Sequence, residues 1–418
     1  MKKKQYKFIK VNGKTLIVGI DIGKSNHYGF FLTLSYESNK SFPFSNTKEG
    51  FDLLIRKIEL FTQAHSVDNV IIAVESTGNY WLPLAYYIQG KTHYTIVQVN
   101  GKHTKRFKDV TDNTPNKTDH KDPKVIAQVV LIGSGLRVNL PNGIKANVRE
   151  LTRLRKSLLA DRKRIVNRIH ASLALYFPEY LDLFKDISCK TSTYLLKNYP
   201  TPGNMIQVGQ KSLIKELRKI SRGRCDAKKT EELISAAFST IGIKDGLDAY
   251  QSIVKLHINQ IELFDIQISA IEKQIKQSLA SLEEYYILRS INGIGDITIA
   301  TIISEIGNFR HFKTNKELLK FSGLNLVESS SGNHRGNRRI SKVGNEHLRT
   351  SLYFLALRLV KKRGIYHEQY TKYVNKGMEK KKAIIAISRK VLRMIHSLIK
   401  NNEAFDYEHN LKHIKIAA

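Results

Sequence analysis

The residues that decide the fold are Leu16-Ile17-Val18-Gly19-Ile20-Asp21, an apolar run that ends in a carboxylate. A second run, Val70-Ile71-Ile72-Ala73-Val74, ends in Glu75 in the same way. Both runs have the length and composition of buried strands. A further acidic pair, Asp119 and Asp122, comes just before an apolar helix pattern. Converging carboxylates are the hard oxygen ligands that Mg2+ prefers, so the pattern predicts a metal-dependent nuclease core with two Mg2+ ions.

Each of these acids also has a simpler explanation as a cap or turn residue. Asp122 stands directly before Pro123, which suits an N-cap followed by the first position of a helix. Buried acids need a partner or a cation, however, so several of them at one sheet edge are costly unless metal is bound. We therefore predict a metal site for the four together and keep the capping alternative for Asp122.

The charge balance indicates a polyanionic partner. The chain of 418 residues has 69 Lys and Arg against 37 Asp and Glu, a formal charge of +32. Nucleic acid is the expected partner. The apolar runs are far shorter than the roughly 20 residues of a membrane span, so we expect no membrane association and a cytoplasmic protein. Cys189 and Cys225 stand alone, which indicates neither a structural zinc nor a disulfide framework.

The order of strands and helices predicts an N-terminal α/β domain over residues 1–143. Residues 15 to 34 predict an antiparallel hairpin, and later strands alternate with helices, which is typical of a mixed sheet. We predict that residues 144–284 form a long basic helix, a helical insert and a coiled coil. Residues 285–400 are expected to form a mainly helical C-terminal domain, and residues 401–418 a tail.

A single long helix is predicted from Ile144 to Tyr176, with an apolar side that includes Leu154. Its other faces carry many basic residues. Such a run is often only a solvated face, but basic helices also contact phosphates. The candidate phosphate contacts on this helix are Arg153, Arg162, Arg164 and Arg168.

A heptad seam runs from Val254 through Ile261 and Ile268 to Ile275. Spacings of three and four residues predict a coiled coil, which would belong to a homodimer or homotetramer. The alternative is a hairpin within one chain, packed against the helix at 144 to 176. Spacing alone does not separate these two interpretations.

The second candidate centre is the serine in Ser329-Ser330-Ser331-Gly332-Asn333-His334-Arg335. A serine that attacks phosphorus needs positive charge around the phosphate oxygens, and this segment supplies it. Ser331 is the candidate nucleophile and Ser330 its alternative; a flexible polar loop without chemistry is the competing interpretation. The nearby candidate phosphate contacts are Arg335, Arg338, Arg339 and Lys342. Upstream, Gly293 and Gly295 form a turn between two predicted helices that would point backbone N–H groups at a DNA phosphate.

Ordered motifs along nearly the whole chain carry a family resemblance. They are Val18-Gly19-Ile20-Asp21, Val74-Glu75-Ser76-Thr77-Gly78, Lys117-Thr118-Asp119, Asp122, Gly293-Ile294-Gly295, Phe321-Ser322-Gly323-Leu324, Ser331-Gly332, Ser341-Lys342-Val343-Gly344-Asn345 and Leu348-Arg349. With these motifs the chain resembles DEDD-type transposases of the insertion-sequence one-ten family, which are related to Piv-type DNA invertases. Asn292 and Pro123 depart from the family pattern, in which proline and alanine are usual at these positions.

The resemblance implies a RuvC-like (RNase H fold) N-terminal domain, a coiled coil and a C-terminal transposase domain with a helix-hairpin-helix. It implies that Asp21, Glu75, Asp119 and Asp122 are the metal-binding tetrad and that Ser331 is the catalytic serine. It further implies multimeric recombinases that act on donor and target DNA with a bridge noncoding RNA. Two other hypotheses stay open, a RuvC-like junction nuclease that needs no serine and a non-catalytic nucleic-acid-binding protein.

Overall fold

The computed structural model describes residues 11–38, 40–75, 78–111, 122–328, 330–331, 334–335 and 338–407. The chain forms two compact units, each built from separate stretches. The first comprises Met1–Asn142, Ile306–Ala356 and Lys372–His396, and the second comprises Gly143–Glu305, Leu357–Thr371 and Ser397–Ala418. The stretch 285–400, predicted as one C-terminal domain, therefore contributes to both units.

The first unit contains a mixed six-stranded sheet in the order β3-β2-β1-β4-β5-β6. Strands β1, β2 and β3 are antiparallel, β1, β4 and β5 are parallel, and β6 returns antiparallel to β5. The predicted hairpin and the predicted N-terminal α/β sheet are confirmed. The strands are β1 Thr15–Ile22, β2 Asn26–Leu32, β3 Phe42–Ser45, β4 Asn69–Glu75, β5 Thr95–Val99 and β6 Leu136–Arg137.

Helices cover both faces of this sheet, because alternate side chains of a strand point to opposite sides. One apolar cluster joins Leu16, Val18 and Ile20 to α1 and α2, and another joins Ile17 and Ala73 to α4. The helices of this region are α1 Lys48–Ala64, α2 Trp81–Lys91, α3 Gly101–Thr111 and α4 Asp122–Leu131.

The second unit is helical over the range 143–305. Its helices are α5 Ile144–Tyr176, α6 Glu179–Leu183, α7 Lys190–Asn198, α8 Pro202–Val208, α9 Gln210–Ser221, α10 Ala227–Phe238, α11 Leu247–Leu279, α12 Glu283–Arg289 and α13 Asp296–Ile306. Thr152 and Val148 are buried near the start of α5, whereas Leu154 is 48% exposed. The prediction that Leu154 belongs to the apolar side was therefore wrong. The buried side of α5 shifts around the helix axis between Val148 and Ile165 and leaves Leu154 outside it.

The seam on α11 packs against α5 of the same chain. Val254, Ile258 and Ile261 share an apolar cluster with residues of α5, such as Ile165 and Ile169. Two ion pairs show that the helices are antiparallel. Arg155 Nε lies 2.7 Å from Glu272 Oε1, and Arg162 Nε lies 2.7 Å from Asp265 Oδ1. Packing of α11 against α5 of the same chain thus explains the seam. The seam is therefore no longer evidence for a second copy of the chain, and multimer formation stays a prediction.

The remaining elements follow α13. They are the 3-10 turn Phe309–His311, α14 Asn315–Phe321, β7 Leu326–Val327, β8 Ser330–Ser331, β9 His334–Arg335, β10 Arg339–Ile340, α15 Glu346–Leu359, α16 His367–Asn375 and α17 Lys380–Asn401. Strand β7 pairs with β10, and β8 pairs with β9. Over the described part of the chain, every helix is too short or too polar to cross a bilayer.

Candidate active site

Two of the predicted metal ligands end neighbouring parallel strands at the same level. Ile20 of β1 pairs with Val74 of β4, so the next residues, Asp21 and Glu75, are level at the carboxyl ends. The two backbones are separated by one strand spacing, about 5 Å. Asp21 follows Gly19 by two residues, and Gly19 pairs with Ala73, so both acids project from the same face of the sheet.

Helix α4 brings Asp122 toward this face because Gly19 has no side chain. A Cβ atom at position 19 would overlap the carbonyl oxygen of Pro123 and would come within 2.8 Å of Ala127 N. Only glycine therefore allows α4 to lie directly on β1. Asp122 is the first residue of this helix, and the alternative that it only caps the helix stays open.

Two side chains of α3 contact the carboxylates. Thr104 Oγ1 donates a hydrogen bond of 3.0 Å to Glu75 Oε2, and Lys108 Nζ donates to Asp122 Oδ1. Thr104 and Lys108 are four residues apart and so lie on one side of the helix. Sequence reasoning missed both, although this spacing next to the acidic strand ends could have revealed them.

Asp119 lies outside the described residues. Over the ranges that are described, no group of three or more His, Cys, Asp or Glu side chains has the geometry of a metal site. The donors at this edge still suit a divalent ion, since Asp21, Glu75 and Asp122 offer hard oxygen atoms. In this structure the ammonium of Lys108 neutralises Asp122.

Ser331 lies on a small β arm, here named the serine arm and formed by β7 to β10. Ser331 pairs with His334, and Ser330 pairs with Arg335. The ladder of β8 and β9 lies, in the sequence, between the paired strands β7 and β10.

The base of the serine arm is fastened to the turn that follows α14. Lys342 N donates to Gly323 O at 3.1 Å, and Asn345 N donates to Phe321 O at 2.7 Å. Arg349 Nη1 adds a hydrogen bond of 3.1 Å to Ser322 O. The motifs around Gly323 and Lys342, which are distant in sequence, thus form one structural support for the arm.

The predicted basic contacts of this region are at the surface. Arg338, Arg339 and Lys342 are exposed, and Arg338 Nε donates to Glu328 Oε2 at 3.1 Å. Lys342 has a φ of 56°, a left-handed conformation that is uncommon outside glycine. Their role as phosphate contacts, and that of Arg335, stays a prediction.

Three of the four predicted arginines on α5 pair with carboxylates of the same unit. Arg153 makes two hydrogen bonds with Glu305, and Arg162 makes two with Asp265. Arg164 is exposed and pairs with Asp161, and Arg168 is also exposed. The exposed pair is thus the better placed to meet a phosphate.

Comparisons with known proteins match both halves of this arrangement. Residues 18–178 match the family model DEDD_Tnp_IS110, described as "Transposase", and residues 285–371 match the model described as "Transposase IS116/IS110/IS902 family". The chain carries the domains of an insertion-sequence transposase. The first model spans the carboxylate edge, and the second spans the glycine turn and the serine arm.

Several relatives match almost the whole length of the chain. The chain is 24% identical to the insertion element IS116 uncharacterized 44.8 kDa protein of Streptomyces clavuligerus, over 93% of this chain and 95% of that protein. It is also 24% identical to the pilin gene-inverting protein of Moraxella bovis, over 93% and 97% of the two chains. A match of 28% to the transposase for insertion sequence element IS1111A of Coxiella burnetii covers 34% of this chain and 40% of that protein. DNA transposition and recombination is the activity of this family.

Among the described residues is a buried acid, Glu305, that sequence reasoning missed. Glu305, near the end of α13, has a fully buried side chain, with Arg153 Nε 2.8 Å from Oε1 and Arg149 Nε 3.4 Å from Oε2. These ion pairs anchor α13 on α5. The turn before α13 contains Gly293, with a φ of 93°, and Gly295, whose carbonyl accepts from Thr298 and Ile299 at the start of the helix. An isolated Glu in an apolar helix pattern is the only sequence signal for this anchor.

Proposed function

We propose that this protein is a DNA transposase that cuts and rejoins strands at a Mg2+ centre with a serine nucleophile, guided by a bridge RNA. The observation that supports it best is the level position of Asp21 and Glu75 on one face of the sheet. Helix α4, resting on Gly19, adds Asp122. The sheet, with three antiparallel strands followed by parallel ones, supports the RuvC-like assignment of the N-terminal domain.

Asp21, Glu75 and Asp122 would hold the metal, with Asp119 as the fourth ligand of the tetrad. Two bound Mg2+ ions would stabilise the charge that develops on a reacting phosphodiester. Thr104 orients Glu75 through its hydrogen bond to Oε2, which leaves Oε1 available. Lys108 would have to release Asp122 when the ligand is needed, and it would then supply a positive charge close to the phosphate.

Ser331 would carry the strand between cutting and joining. Its Oγ loses a proton and bonds to phosphorus, while the bond to one deoxyribose oxygen breaks and that oxygen leaves as a strand-end hydroxyl. A hydroxyl of the partner strand then displaces the serine, which restores both the phosphodiester and the serine hydroxyl. The number of phosphate ester bonds is unchanged, so the exchange needs no external energy source.

We also propose the bridge RNA guide and the oligomeric assembly. The formal charge of +32 suits a protein that binds nucleic-acid backbones and leaves base reading to a paired RNA. Donor and target DNA would be the other partners, and a homodimer or homotetramer in the cytoplasm the working form. Arg164, Arg168, Arg338, Arg339 and Lys342, which are exposed, are the described side chains best placed for backbone contacts.

Trapping a covalent DNA–protein adduct tests the chemistry. Wild-type protein with Mg2+, structured RNA from the flank of its element and matching DNA should give an adduct that maps to Ser331. Ser331→Ala should bind both nucleic acids and form no adduct, whereas Ser330→Ala, a neighbouring control, should keep it. Asp21→Ala, Glu75→Ala and Asp119→Ala should abolish cutting with binding nearly unchanged.

The outcomes separate the competing hypotheses. Cleavage without any adduct would support the junction nuclease, and binding without cleavage would support a non-catalytic nucleic-acid-binding protein. Full recombination by Asp122→Asn would leave that residue only its capping role. Efficient site-specific recombination without RNA would refute the guide and spare the transposase.

A further inference from the structure

A large cavity in the first unit has no role in the proposed chemistry. It has a volume of about 1000 Å3 and is lined by β6 and the residues around it, the segment 311–321, β7 and α17. This size lies at the upper end of the range of about 300–1000 Å3 for small-molecule sites. Its lining contains none of Asp21, Glu75 and Asp122. Strand β6 is two strand spacings, about 10 Å, from β4, which carries Glu75.

The cavity is strongly cationic. Six basic side chains line it, namely Arg137, Lys313, Lys316, Lys320, Arg389 and Arg393. Glu317 is the single carboxylate among the described lining residues, and it accepts a hydrogen bond from the backbone N of Lys313 at 2.9 Å. The positive charge therefore greatly exceeds the negative charge within the cavity.

Part of this charge is withdrawn from water. Burial lowers the pKa of the Lys320 ammonium, and burial together with the nearby Arg393 lowers the pKa of Arg389. Arg389 Nε is buried and has no hydrogen-bond partner within the part of the chain that the structure describes. A buried donor that lacks an acceptor is costly, and an anion in the cavity would remove that cost.

Another part of the cavity wall is aromatic and apolar. Phe312 and Phe321 lie with ring centroids 5.1 Å apart and planes tilted by 55°. Beside them the lining includes apolar side chains such as Val138 and Leu319. A wall of this type suits a flat aromatic ring, because bases stack on aromatic side chains.

The wall is held in place by hydrogen bonds from distant parts of the unit. His396 of α17 contacts Asn315 Oδ1 at 2.6 Å and Phe312 O at 3.1 Å through its two ring nitrogens. His311 Nδ1 lies 3.1 Å from Oδ1 of the buried Asn139. The cavity is thus a supported feature of the fold rather than a gap between loose side chains.

We propose that this cavity binds one phosphorylated nucleotide, with the phosphate at Lys320, Arg389 and Arg393 and the base against Phe312 and Phe321. The ligand has two possible sources, an unpaired nucleotide of a bound nucleic-acid strand or a free nucleotide. The strand is the source we expect, an expectation that rests on the proposed function. An unstacked nucleotide held there would fix the register of the strand without the reading of a long sequence.

Photocrosslinking and affinity measurements test the proposal on the full-length protein. The probes are an RNA hairpin and a DNA hairpin, each with one bulged photoreactive thiouracil, and the fully paired hairpins as references. Crosslinks should map by mass spectrometry to the peptide that contains Phe312 or Phe321. Bulged probes should bind more tightly than paired ones, and free uridine monophosphate should compete, whereas inorganic phosphate should compete more weakly.

Substitutions give the quantitative test. Arg389→Gln and Arg393→Gln should each weaken binding of the bulged probe about tenfold, because each removes a charged donor to phosphate. Phe321→Leu should weaken it about fivefold while retaining apolar volume. Lys381→Gln is the matched control, since Lys381 is an exposed residue of the same helix α17 and should leave the affinity unchanged. Arg393 is itself exposed, so that variant tests the site even where Arg389→Gln lowers stability.

Several results would overturn the proposal. They are crosslinks that map elsewhere, equal affinity for bulged and paired probes together with no competition by free uridine monophosphate, or equal losses in Lys381→Gln and Arg393→Gln. Competition by inorganic phosphate as strong as by the nucleotide would also overturn it, since the site would then bind only an anion. Competition by free uridine monophosphate with no preference for bulged strands would support the cavity and assign it to a free nucleotide. Binding to the cavity requires no cleavage of DNA. If the protein shows the expected binding preferences but cuts no DNA, the proposed function is refuted and the nucleotide site is not.

Discussion

The buried carboxylate of Glu305 provides a sharp test of how α13 is held. We predict that Glu305→Gln destabilises the protein by about 3 kcal/mol, because removal of one charge from a buried ion pair leaves the other charge uncompensated, which typically costs about 3–5 kcal/mol. Glu305 is fully buried, and its partners Arg149 and Arg153 are only 14% and 25% exposed. Glutamine keeps one acceptor oxygen, which places the expected value at the lower end of this range.

Glu272→Gln is the matched control, because Glu272 of α11 also pairs with an arginine of α5. Glu272 binds Arg155 with the same Nε–Oε1 geometry at 2.7 Å, but its side chain is 39% exposed. Ion pairs that solvent screens contribute about 0–1 kcal/mol. The difference between the two variants therefore measures the combined effect of burial and of the second arginine partner of Glu305.

Urea unfolding followed by far-ultraviolet circular dichroism measures both free energies, and hydrogen exchange of α13 amides locates the effect. The reasoning fails if Glu305→Gln and Glu272→Gln differ by less than about 1 kcal/mol. Simultaneous replacement by apolar residues, Arg149→Leu, Arg153→Met and Glu305→Leu, should recover most of the loss, because no unpaired charge remains buried. Failure to recover would mean that the anchor depends on its hydrogen bonds.

Three further predictions follow from the structure. Gly19→Ala should move α4 and lower DNA cutting at least tenfold while nucleic-acid binding persists, because its Cβ overlaps the Pro123 carbonyl; unchanged cutting at wild-type stability would contradict the packing argument. Ile268→Asp should lower the melting temperature strongly, since it places a charge at a buried position of α11, whereas Ile266→Asp, at a 68% exposed position of the same helix, should not. Light scattering that showed dissociation of Ile268→Asp without loss of stability would restore the interpretation of the seam as a contact between copies. Burial lowers the pKa of His27 from 6.5, so the unfolded chain takes up the proton first as the pH falls through about 6.5, and folding stability declines toward acid. His27→Phe should flatten that decline in urea titrations between about pH 7 and 5. An unchanged dependence of stability on pH would refute this prediction.

Much of the local structure was predictable because it follows from short-range patterns. The apolar runs that end in Asp21 and Glu75 are strands, and the helix predicted from Ile144 to Tyr176 has those bounds. Runs of aliphatic residues and helical periodicity report which side of an element avoids water. Even the level position of the two acids follows once β1 and β4 are neighbours in a parallel sheet.

The sequence by itself thus determined the mixed sheet, the two long helices, the acidic strand ends and a basic protein suited to nucleic acid. Only the tertiary structure decided what each face meets: the seam at Ile261 packs on α5, Arg153 binds Glu305, and Arg137, Lys320 and Arg389 line one cavity. The physical reason is that periodicity and composition report whether a side chain favours burial or solvent. Which partner that side chain meets depends on contacts between residues far apart in the chain. A basic residue looks the same in sequence whether a carboxylate of its own chain or a phosphate of another molecule neutralises it.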